Sequence, residues 1–199
     1  MKNGDIGFDS LEDIAVQSAK NKLILSFRQL VIMKEFEKLT VAEICEKANV
    51  SRKTFYTHFK DKNDIIEQIV LHSLSQPFKE MRKLYTLHDL PSTLLMEWLY
   101  QRIYEDKEFY ANISSFTGQN SLQEFVLKHT TEMLETILES VDMSEVDKEY
   151  TVYFYAASHT LLLIKWISDG MIISPKKMAG FYDKWTIPIW KNFSQNKKR

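Results

Sequence analysis

The chain has 199 residues, 44% of them hydrophobic and 27% charged, with a formal net charge of −1. This mixture excludes a disordered polymer, and it excludes binding nucleic acid by bulk charge, so any DNA contact must come from a local patch. With 5 Gly and 4 Pro, the chain is too poor in turn residues for a strand-rich or α/β fold and points to an all-α one.

The single cysteine, Cys45, leaves no intramolecular disulfide to form, which fits a reducing compartment. The opening stretch carries Asp5, Asp9, Glu12 and Asp13 and lacks a basic-then-apolar leader pattern. The most apolar run, Thr160 to Ile167, is interrupted by Lys165 and falls far short of the roughly 20 residues a bilayer requires. A cytoplasmic protein without membrane contact is expected.

In chain order, Leu11, Ile14, Ala15, Ala19, Leu23, Phe27, Leu30 and Val31 recur at three- and four-residue steps and predict a helix over 11–33. Residues 34–39 form a short link around Phe36. Thr40 then opens a second helix whose apolar face is Val41, Ile44, Cys45 and Ala48, and Thr40 with Glu43 has the spacing of a capping box. The turn at Ala48-Asn49-Val50 suits Asn49, since asparagine tolerates the left-handed conformation. Ser51 can cap a third, very short helix with Phe55 and Phe59 on one face. Asp61 can cap a fourth over 62–84, with Ile65, Ile66, Ile69, Val70 and Leu74 inward and Pro77 a candidate kink. Further helices are predicted over 91–106, 120–140, 145–169 and 174–192, with a short one near 109–115. The basic end, Lys197 to Arg199, reads as a solvated tail.

Two short helices joined by a tight turn, the second cationic opposite its apolar face, describe a helix-turn-helix. If Phe55 and Phe59 anchor the second helix, Arg52, Lys53, Tyr56 and Thr57 point outward. A helix fits the major groove, where Arg and Lys read guanine edges, while phosphate contacts set the register. Taken alone, Arg52 and Lys53 would read as a solvated pair; inside this motif they read as DNA contacts. Tyr56 serves either as packing against the first helix or as a phosphate contact, and His58 either closes the third helix or reaches DNA. Cys45 reads as core.

The segment TVAEICEKANVSRKTFYTHFKDKNDII, Thr40 to Ile66, closely resembles the signature of TetR-family transcriptional regulators. The shared features are an N-capping Thr, an I-x-x-x-A core, a turn ending in Val-Ser, T-[LF]-Y-x-[HY]-F, and K-x-K at the start of the fourth helix. Asn49 stands where glycine is commoner. The resemblance implies that Thr40, Tyr56 and Lys62 hold phosphates and that Ser51, Arg52, Lys53, Thr54 and His58 lie on or beside the groove-facing surface. The C-terminal stretch YFYAASHTLLLIKWISDGMIISPKKMAGF resembles a Firmicutes-type subset that includes relatives of dihydroxyacetone-kinase regulators. Its small residues are Ala156, Ala157 and Ser158, followed by Trp166 and the turn Asp169-Gly170-Met171.

The resemblance implies a helix-turn-helix domain over 10–62 and a helical effector-binding and dimerisation domain over 63–193, with residues 145–169 and 174–192 as dimer helices. It further implies a homodimeric repressor, repression being the commoner outcome in the family, that binds a palindromic operator and is released by a small molecule. Trp98, Tyr153, Phe154, His159 and Trp166 are candidates to line an effector pocket, against the plainer reading of core or dimer interface. An alternative is a co-regulator of the same fold acting through a protein partner, which a C-terminal half packed without a cavity would favour. An all-α enzyme lacks a phosphate-binding glycine loop, a nucleophile elbow and metal-ligand spacing. His72, His88 and His129 are scattered, so no metal, cofactor or catalytic residue is expected.

Overall fold

The computed structural model describes residues 11–76, 92–116, 121–139, 141–182 and 184. Among these, all regular structure is helical, and no helix is long and apolar enough to cross a membrane. The chain divides into two compact units, with the boundary between Ile65 and Ile66.

The first unit contains α1 (Leu11–Met33), a 3-10 turn (Phe36–Lys38), α2 (Val41–Ala48), α3 (Arg52–His58) and the start of α4 (Lys62–Val70). α1 packs on α2 and α3. Its core face is Leu23, Phe27 and Val31, the four-residue recurrence expected of a half-buried helix. Phe36 meets Phe27 edge-on at 6.2 Å and closes the core beneath the link. α2 begins at the Thr40–Glu43 capping box, whose reciprocal bonds satisfy two otherwise orphaned backbone donors. It ends at Asn49, whose φ of 52° is left-handed; Val50 N–H then donates to Cys45 O and Asn49 N–H to Glu46 O. A short polar side chain does here the work glycine more often does.

In the second unit, α4 runs on into a π-helical turn over Leu71–Ser75, and Gln76 is again α-helical. Pro77 and the rest of the expected fourth helix lie outside the described residues. Then come α5 (Ser92–Glu105), α6 (Lys107–Ser114), α7 (Leu122–Leu138), α8 (Glu145–Ser168) and α9 over 175–182. α7 and α8 form the main pair, and α6 packs on α5, α7 and α8. One cluster between α7 and α8 buries Leu134, Leu138, Val152, Tyr155 and Ala156. Ser121 and Ser144 cap α7 and α8 through the backbone N–H groups of Glu124 and Asp147. α8 stops where Gly170 (φ +77°) and Met171 (φ +56°) turn left-handed, with Gly170 N–H donating to Ile167 O and Met171 N–H to Trp166 O. Lys197 to Arg199 and most of the stretch predicted over 174–192 lie outside the described residues.

Candidate nucleic-acid interface and C-terminal cavity

α3 is seven residues long, and three local features fix it. Ser51 Oγ accepts from Thr54 N–H at 3.0 Å and exchanges a hydrogen bond with Thr54 Oγ1 at 2.8 Å, so both side chains serve the cap. Phe55 is fully buried and Phe59 nearly so, their rings 5.6 Å apart. A seven-residue helix is marginal alone, so this two-ring anchor holds it. On the opposite side Arg52, Lys53, Tyr56 and Thr57 face solvent, with Tyr56 60% exposed. Neither Arg52 nor Lys53 is ion-paired among the described residues. His58 is half-buried; burial and then Lys20 push its imidazole below the ordinary value, so it resists carrying charge.

Two residues expected to hold phosphates are placed differently from Tyr56. Thr40 is exposed, but its hydroxyl donates to Glu43 Oε2 at 2.7 Å and accepts from Glu43 N–H at 3.3 Å. Lys34 binds the other oxygen of that carboxylate at 2.6 Å, and these hydrogen bonds hold Glu43 down at about 2. The departure at Lys62 is larger. Its ammonium donates to Phe36 O at 2.7 Å, Leu39 O at 2.8 Å and Glu37 O at 3.0 Å, and lies 4.5 Å from the Phe36 ring. Three protons meet three carbonyls, so none is left for a phosphate. Burial lowers its basicity, as fits a partly desolvated ammonium. Lys62 therefore ties the start of α4 to the link before α2, a placement the phosphate reading did not anticipate. Lysine at this spacing reports only that a cation is useful there; that the carbonyls of residues 36–39 converge on it is a tertiary fact.

Cys45 is buried on α2, and burial raises its thiol, against a smaller opposing effect from Arg52. Among the described residues, no three His, Cys, Asp or Glu side chains gather as a metal site.

The second unit holds a cavity of about 90 Å³ walled by the end of α4 and its π turn, α5, α7, α8 and Tyr182 of α9. Of the five aromatic candidates, His159 alone lines it. Tyr153 and Phe154 are 69% and 61% exposed on the outer surface of α8. Trp166 is core: its Nε1–H donates to Ile173 O at 2.8 Å and its ring meets Tyr100 edge-on at 5.2 Å. Trp98 is half-buried and outside the lining. The other four candidates lie outside this cavity's described lining. An aromatic on a long helix pairs with whatever its face meets, and α8 is apolar on more than one face. The wall residues that sequence reasoning passed over are apolar ones such as Val70, Met96 and Met133, together with His129. No sequence signal separates them, because a cavity wall and a filled core show the same helical spacing.

Comparison with known proteins agrees with this geometry. Residues 28–69 match the model of bacterial regulatory proteins of the TetR family, and residues 94–184 match that of a transcriptional regulator C-terminal region. This chain belongs to the TetR family. Its fold is similar to that of the dihydroxyacetone kinase operon activator DhaS, at 17% identity over 88% of this chain and 97% of that one, with a TM-score of 0.61. A TetR-family regulator of Syntrophomonas wolfei gives 16% identity, 87% and 95% coverage, and a TM-score of 0.65. Another, from Streptococcus agalactiae, gives 18%, 86% and 95%, and 0.60. At these identities the likeness speaks for the fold. No curated protein matches the chain. As a TetR-family member the chain is a transcriptional regulator with an N-terminal helix-turn-helix and a C-terminal helical domain.

Proposed function

We propose that this regulator is a homodimeric repressor that places α3 in the major groove of each half of a palindromic operator and lets go when a small molecule occupies its C-terminal cavity. The observation that carries this reading is the two-sidedness of α3: Phe55 and Phe59 are buried, and Arg52, Lys53, Tyr56 and Thr57 are exposed. Arg52 and Lys53 read base edges, Tyr56 and Thr57 contact the backbone, and Ser51 and Thr54 keep the helix short and rigid. Lys62 and Thr40 act one step back, by holding α4 and α2 in place.

A dimer is supported by the outer face of α8. Val146, Tyr150, Tyr153 and Leu161 recur at helical steps, all exposed, with Phe154 beside them. Exposed aromatics in one stripe mark an association surface, and a two-fold interface must present the same patch from each copy. The cavity favours an effector-sensing regulator over one acting only through a protein partner. A ligand releases DNA only to the extent that it binds the non-binding conformation better.

Duplexes selected from a random library and titrated at fixed salt test this. The expected product is a palindrome whose half-sites lie about one helical turn apart, or a multiple of it. A purified dimer that holds no duplex above the non-specific level overturns the reading.

A further inference from the structure

The cavity of the second unit has a chemical character that narrows its occupant. Most of its wall is apolar, with Leu74, Ile103 and Leu163 typical, and none of the described residues that line it is Asp, Glu, Lys or Arg. A charged ligand would leave its water with no opposite charge among the described wall residues to meet, which disfavours it. One polar group stands out. His159 Nδ1 is buried and has no hydrogen-bond partner, while its ring is held between Tyr100 at 6.3 Å and Tyr182 at 5.7 Å. His129, also in the wall, has a carboxylate oxygen of Glu132 3.3 Å from its Nδ1. Burial pushes the His159 imidazole down to about 4, so at neutral pH it is an uncharged hydrogen-bonding group. An unpaired buried nitrogen costs stability unless something completes it, and its place in a cavity wall makes a ligand the natural completion.

We infer that the cavity takes a compact, uncharged, mainly apolar molecule bearing one hydroxyl or carbonyl group, which hydrogen-bonds His159. The size follows from the volume. An apolar cavity of about 150 Å³ accepts benzene, so 90 Å³ by itself suits roughly four non-hydrogen atoms, and a single six-membered ring enters only as the wall gives. Met96 and Met133 supply the give in the wall, being unbranched and adaptable. Small phenols and short alcohols or ketones fit, whereas carboxylates, amines, nucleotides and sugars do not. The inference deepens the effector-sensing part of the proposed function and rests on it for its regulatory meaning, but the binding itself depends only on this cavity.

Calorimetric titration of the full-length protein tests it with phenol, toluene, benzoate and benzamide. Phenol and toluene are nearly isosteric and differ by the hydroxyl; benzoate adds two atoms and a charge, and neutral benzamide, isosteric with benzoate, separates size from charge. The expected result is that phenol and toluene bind and benzoate does not. His159→Phe weakens phenol about tenfold and leaves toluene within about twofold, since it removes one hydrogen bond and little else. Met133→Trp, which fills the space, abolishes both while helix content and melting temperature hold. Binding of benzoate as tight as that of phenol overturns the assignment, and so does an equal effect of His159→Phe on both neutral probes, or no binding of either. Operator binding, measured separately, keeps the two readings apart. Duplex binding without phenol binding defeats only this inference, and phenol binding without duplex binding defeats only the repressor.

Discussion

Residues 40–62 and the helix α8 are opposite cases of how a sequence specifies structure. In the first, each short-range signal points one way: a capping box, a left-handed Asn49, a Ser51 cap and a Phe55/Phe59 pair four residues apart. The 24-residue α8 carries apolar side chains on more than one face, from buried Val152 and Leu163 to exposed Tyr150 and Leu161. Caps, turns and a single clear stripe leave little choice of orientation, whereas a helix that is apolar on more than one face leaves the choice to its neighbours. The first region therefore puts its charge in water and the second its aromatics.

The sharpest way to break this contrast is to exchange a buried ring for an exposed one. Phe55→Ala should destabilise the fold by about 3–5 kcal/mol and remove DNA binding, as read by urea denaturation and duplex titration. If it costs under about 1 kcal/mol, α3 is not anchored as described. Tyr153→Asp or Phe154→Asp should leave the helices intact yet weaken the proposed dimer by about 2 kcal/mol, roughly thirtyfold, in sedimentation equilibrium. Dimers that survive both changes place the interface elsewhere.

Within the proposed DNA-facing region, Arg52→Ala or Lys53→Ala should relax base preference by about 1–3 kcal/mol at one operator position with no change in stability. A uniform loss across all sequences would move these residues to the phosphates. Lys62→Met should do the reverse. Three carbonyls lose their donor, so stability should fall by about 1–2 kcal/mol, while the slope of affinity against salt should stay put. A slope flattened by about one unit in a fully stable variant would return Lys62 to the phosphates.

The smallest effect expected is at Glu43. Its carboxyl is held near 2, below the ordinary 4.5, so its contribution to stability is present above pH 4.5 and lost as pH falls from 4.5 towards 2. The melting-temperature gap between wild type and Glu43→Gln should therefore be full at pH 7 and close across that window. A gap unchanged at pH 2.5 would show that the charged form contributes nothing.

Much of the fold was legible. The helices at 92–105, 122–138 and 145–168 start and stop within two residues of where periodicity, caps and turn residues put them. The π turn at Leu71–Ser75 gave no sign, because inserting one residue into a helical turn leaves composition untouched. Of the candidate site residues, the outward set on α3 followed from the position of its two phenylalanines. Lys62 did not, since its three acceptors lie more than 20 residues away in the chain. Trp166 and Phe154 are indistinguishable in a list of aromatics, yet one is core and the other surface.

By itself the sequence determined the all-helical class, the helix-turn-helix and the face of α3 that meets water, because caps, turns and four-residue spacings act over a few neighbours. Only the tertiary structure decided that Lys62 faces carbonyls, that His159 faces a cavity and that Tyr153 faces out. Each of those depends on which helix lies opposite, and long-range packing is decided by the whole set of apolar faces seeking partners at once.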